Sequence, residues 1–162
     1  MPRTTPVAEV MTTDVLRFSP TDTVRDAMRA MVEADVDGAP VTDESGRVVG
    51  LLSTDDLIVR ESRLHFPTVI ELLGGVIELP GQAKRFDEEI RRALGSTVGD
   101  VMSTEVSTVS PDDTLETAAS LMHDRRASRL PVVRAGVLVG IIGQGDVVRA
   151  ILRDEASEAS AE

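Results

Sequence analysis

Hydrophobic and polar positions fall into two matching series along the chain. In the first, Val15-Leu16-Arg17-Phe18 is a short β-prone run, ended by Ser19-Pro20-Thr21-Asp22. The side-chain oxygens of that stop suit the cap of a helix starting near Thr23. Val24, Ala27, Met28 and Met31 then recur at three- and four-residue spacing, one apolar stripe on a helix. Ala39-Pro40-Val41-Thr42 reads as a strand, with proline placed early, where its missing donor lies outside the ladder. Asp43-Glu44-Ser45-Gly46 turns the chain into Arg47-Val48-Val49-Gly50-Leu51-Leu52. That returning run is almost unbroken in its apolar character and predicts a strand buried on both faces. A helix should follow Ser53.

The second series repeats this order. Leu115, Ala118, Ala119 and Met122 form the stripe, and Leu130-Pro131-Val132-Val133 the first strand of a hairpin. Arg134-Ala135-Gly136 turns into Val137-Leu138-Val139-Gly140-Ile141-Ile142, with a helix after Gly143. Val10-Met11-Thr12 returns as Val101-Met102-Ser103, and Ser19-Pro20 as Ser110-Pro111, each displaced by 91 residues. A shorter second turn lowers the step to 90, so that Gly50 meets Gly140 and Asp56 meets Asp146. Two copies of strand, helix, strand, strand, helix predict an α/β (α+β) fold with a pseudo-two-fold axis and a cleft between the copies.

The copies span residues 7–60 and 98–152. Between them, 61–97 carries two helical patterns, Pro67 to Leu73 and Gln82 to Leu94, too apolar for a free linker. The acidic tail, 153–162, is expected to fray.

Composition removes several classes of function. Aromatics are three Phe alone, so the stacking platforms of single-stranded nucleic-acid binders are missing. A net charge of −11 also repels nucleic acid and anionic membranes. The absence of Cys excludes disulfides, thiolate catalysis and Cys-based zinc sites. No run approaches the roughly 20 apolar residues of a membrane span, and the start lacks the apolar core of a signal peptide. A cytoplasmic protein is the expectation. His65 and His123 lack metal-ligand spacing, and no nucleophile–base pair emerges, so no enzyme is expected.

The chemistry-bearing stretch is Ser53-Thr54-Asp55-Asp56, directly after a strand. It can be a capping box. Local sequence alone favours the cap, the commoner use, but the same hydroxyl, carboxylate and helix N–H groups can also receive a ribose and a phosphate. In the second copy Asp146 persists although Gly143 has no hydroxyl. An acid kept without its capping partner suggests that it has a task of its own.

The pattern Val-Met-Thr, Ser-Pro-x-Asp-Thr, Pro-Val, Val-Gly-Leu-Leu-Ser-x-x-Asp, met twice, resembles the CBS domain, named after cystathionine β-synthase, as a tandem pair of the Bateman type. The resemblance implies clefts that take an adenosine-containing regulatory ligand: AMP, ADP, ATP, S-adenosylmethionine or NAD, none tightly bound. It implies a homodimer and an unidentified effector protein as partners. Matched residue by residue, Ser53, Asp56 and Asp146 fall on the ribose-binding positions. Asp37-Gly38-Ala39 and Ser128-Arg129-Leu130 fall on the loops beside adenine and phosphate, with Arg129 on a phosphate-binding position. Thr12, Leu16, Ser103 and Ser107 fall on positions that line each cleft from the opposite repeat. The clefts should then be unequal, one holding Ser53 with Asp56, the other Arg129 with Asp146. Two alternatives stand beside this reading: a dimerising adaptor with vestigial clefts, and a Mg²⁺ sensor using scattered carboxylates.

Overall fold

The computed structural model describes residues 4–54, 56 and 95–161. The expected helices of the insert lie outside the described residues. Each repeat contains a helix followed by an antiparallel hairpin. In the first, α1 (Val24–Glu33) precedes β1 (Gly38–Thr42) and β2 (Val48–Ser53). A short helix, α2 (Val98–Val101), opens the second, followed by α3 (Leu115–Arg125), β3 (Arg129–Arg134), β4 (Val137–Gly143) and α4 (Gln144–Ala159).

The helix starts obey the capping logic of the sequence. Thr23 Oγ1 accepts from the Asp26 N–H and Thr114 Oγ1 from the Thr117 N–H, both at 3.2 Å. The stripes face inward: Val24, Ala27 and Met31 are buried on α1, and Leu115, Ala118 and Met122 on α3. The hairpins turn through Gly46 and through Ala135-Gly136, all with positive φ (79°, 52° and 81°).

Two expectations need correction. The run Val15 to Phe18 is no full strand; only Phe18 pairs, in parallel with Val41, before Ser19-Pro20 bends the chain toward α1. The returning strands are not buried on both faces. On β2, Gly50 and Leu52 are buried while Val49 and Leu51 are half-covered, and β4 alternates likewise. The cause is local: the second face of β2 opens onto a hollow between the repeats, which Leu51 lines. The last helix runs as far as Ala159, consistent with the helix-forming Ala and Glu residues of the tail.

The connection between repeats is crosswise. One core gathers Phe18, Val24, Met31, Val41 and Leu52 of the first repeat, yet it also holds Val98 and Val101. The other gathers Val109, Leu115, Met122, Leu130 and Ile142 with Val7, which is fully buried. Each lead-in segment thus completes the opposite repeat. Backbone pairing fixes the exchange: Thr12 and Ile141 trade hydrogen bonds of 2.9 Å, and so do Ser103 and Leu51. At the turns, the hairpins meet through the Leu138 N–H and the Gly46 carbonyl, 2.9 Å apart. Among the described residues no helix is long and apolar enough to cross a membrane.

Candidate functional site

The loop before each hairpin is tied to the helix start after it. The Thr54 N–H donates to the Asp37 carbonyl at 2.9 Å, and the Gln144 N–H to the Ser128 carbonyl at 3.0 Å. These bonds use helix-terminal donors that would otherwise lack partners.

The predicted acids sit at these helix starts. Ser53 and Asp56 form a reciprocal box: the Ser53 N–H donates to Asp56 Oδ2 at 3.0 Å, and the Asp56 N–H to Ser53 Oγ at 3.3 Å. In the second repeat the Gly143 N–H donates to Asp146 Oδ2 at 2.8 Å. Asp146 therefore does have a capping role, through half a box that needs no hydroxyl. The cap gives Asp146 a structural task that the Gly143 backbone can share. The other oxygens differ. Asp146 Oδ1 is paired with Arg149, whereas Asp56 Oδ1 has no partner among the described residues.

Arg129 reaches from one repeat to the other. Its backbone starts β3 opposite Gly143, near Asp146, but its guanidinium lies on the first repeat. Nη1 donates to the Gly38 carbonyl at 3.0 Å, and Nη2 pairs with Asp37 Oδ1. Gly38 is in register with Ser53 on β2. The arginine head thus lies on the first repeat, beside the strand pair in which Gly38 meets Ser53, rather than next to Asp146. A side chain on Gly38 would lie 3.3 Å from Arg129 Nη1, so its absence makes the crossing open. Burial lowers the guanidinium pKa from its ordinary value, though Arg remains charged at any physiological pH.

A hollow of about 580 Å³ lies beside this group, lined by Leu51, Ser107, Arg125, Arg126 and Arg129 together with the carboxylates Glu105 and Asp124. Leu51 and Ser53, two apart on β2, share a face. A second hollow of about 590 Å³ is lined by Met122, His123, Arg126, Ser128 and Gln144. Of the predicted residues, Ser107 and Arg129 line the first and Ser128 the second; Ser53, Asp56 and Asp146 line neither. Thr12 and Ser103 act through backbone pairing, each on the opposite repeat. Leu16 packs on the first core. Ala39 and Leu130 are buried in the two cores, which leaves only their backbone for a ligand.

Arg125 and Arg126 were missed, although comparing the repeats reveals them. The loop Glu33-Ala34-Asp35-Val36-Asp37-Gly38 matches Asp124-Arg125-Arg126-Ala127-Ser128-Arg129, so the first loop carries three acids where the second carries three arginines and one acid. Asp35 and Arg126 even share a left-handed backbone, at φ 54° and 52°.

The same architecture is found in known proteins. The CBS domain model matches residues 7–62 and 98–153. The chain belongs to the CBS-domain family. As a CBS pair it is 29% identical over 153 residues to MJ1426 of Methanocaldococcus jannaschii, covering 90% of both chains. It is 34% identical to CBSX1, a chloroplastic CBS domain-containing protein of Arabidopsis thaliana, covering 93% of this chain and 66% of that protein. The crystal structure of CBSX2 in complex with AMP superposes with a TM-score of 0.69 at 31% identity, over 93% of this CBS pair and 98% of that chain.

Proposed function

We propose that this CBS pair is a non-enzymatic sensor that binds a phosphorylated adenosine ligand in the hollow beside Arg129 and signals to a partner protein. The carrying observation is that Leu51 of the first repeat and Ser107 and Arg129 of the second line one hollow, while the Arg129 guanidinium meets Gly38, in register with Ser53. In this reading Asp56 Oδ1, which has no partner among the described residues, accepts from a ribose diol. Leu51 supplies an apolar wall for a base. The Arg129 fork, whose planar donors match phosphate oxygens, holds the anion. The likeness to CBSX2, crystallised with AMP, supports a nucleotide over an unrelated anion. The site around Asp146 is the weaker one, since Arg149 already occupies its second oxygen.

Ligand binding changes output only if two states of the module differ in affinity. A homodimer, a cytoplasmic location and the effector belong to the same proposal. Titration calorimetry with AMP, ADP, ATP, S-adenosylmethionine and NAD tests it. Saturable binding of at least one phosphorylated ligand is expected, and no heat with any of them would sink it. A melting temperature indifferent to all five, in a stable dimer, would favour the adaptor instead.

A further inference from the structure

The contact between Arg129 and Asp37 joins residues from opposite repeats. Asp37 is exposed (71% for the side chain), whereas Arg129 is largely covered (20%) and lines the hollow. The carboxylate offers the guanidinium what a phosphate would: an anionic oxygen aimed at one arm of the fork. Asp37 is also wired to the helix start, because its carbonyl accepts from the Thr54 N–H, one residue past Ser53 and two before Asp56.

We propose that Asp37 is an internal competitor for the ligand: its carboxylate stands in for the phosphate on Arg129, and ligand binding displaces it. This rests on the reading of the hollow as a nucleotide site. Displacement frees the Asp37 loop, and the loop holds the first turn that carries Asp56. The occupied state therefore differs from the empty one in how the repeats are joined at this point. An ion pair links them when the site is empty, and a shared ligand links them when it is full. The charge contrast between the two loops gives this arrangement its direction, since only the second repeat has the arginine and only the first has the acid at this contact.

The role differs from the one that sequence position implies for Asp37, that of a ligand-binding residue, and the two predict opposite results. Binding of AMP and of adenosine is measured on the full chain, for the parent, Asp37→Asn, Asp37→Ser (the residue the second repeat carries) and Arg129→Gln. Losing the carboxylate should tighten AMP by about fivefold, the scale of a partly exposed ion pair. Adenosine affinity should stay within about twofold, and Arg129→Gln should abolish the gain when combined with Asp37→Asn. Two Asp37 variants guard against a folding artefact in either. If the parent binds AMP and neither Asp37 variant tightens it, the competitor role is overturned while the site stands. Equal tightening of adenosine would also overturn it, because the effect would not run through phosphate. If neither the parent nor the Asp37 variants bind AMP, the nucleotide site fails and the competitor role with it.

Discussion

A methyl group on Gly140 would lie 2.6 Å from the sulfur of Met11, a residue of the other repeat. The Thr12 carbonyl, at 3.0 Å, closes the same space from the backbone. Gly50 stands in the same relation to Met102 and to the Ser103 carbonyl. These glycines are bare so that a lead-in segment from the opposite repeat can lie flat on the strand. Gly140→Ala should therefore destabilise the protein by about 1–3 kcal/mol, the usual cost of overpacking. Urea denaturation gives the value. Shortening Met11 to Ala in the same chain should recover less than the whole loss, since the backbone oxygen remains.

Val7 is fully buried in the core of the second repeat, although it precedes the first. Val7→Ala should cost about 2 kcal/mol from lost burial and a residual cavity. A chain beginning at residue 98 retains the whole second sequence repeat but lacks Val7 and the Thr12 pairing. It should show little helical signal by circular dichroism and no cooperative melt. A sharp, native-like transition in that fragment would contradict the crosswise core.

The two acids should separate in one experiment. Asp146→Ala removes the acceptor of the Gly143 N–H and should lower stability by about 1 kcal/mol while leaving AMP binding unchanged. Asp56→Ala removes a similar cap and, under the proposed function, a ribose contact as well. It should lose the AMP-induced rise in melting temperature. An AMP shift that survives Asp56→Ala but not Asp146→Ala would move the operating site to the other cleft.

Arg129→Lys keeps the charge but loses the fork. Lysine cannot serve Gly38 and Asp37, or two phosphate oxygens, in the same planar geometry. AMP should bind about tenfold more weakly, with adenosine little affected, as read by calorimetry.

Much of this architecture is legible in the sequence. Helix stripes and hairpins depend on local spacing, and Val24, Ala27 and Met31 declare their buried face by period alone. The exchange of lead-in segments does not show. A 91-residue displacement is the same whether Met11 lies on its own repeat or on the other. The reach of Arg129 is hidden for a similar reason: sequence position locates its backbone beside Gly143, while a long side chain places its charge on Gly38. The cap made by Asp146 is hidden in the sequence because Gly143 has no hydroxyl to complete a box. One carboxylate on one N–H suffices, and Gly143 supplies that donor without any side chain.

The crosswise cores have the form of a domain-swapped homodimer of a single repeat, joined into one chain. In a true homodimer every substitution appears on both sides of the axis. An arginine at the position of Arg129 would then meet its own copy in the space that Gly38 now leaves open. Fusion removes that constraint. With one gene specifying both halves separately, one half can give up its side chain so that the other can cross the axis.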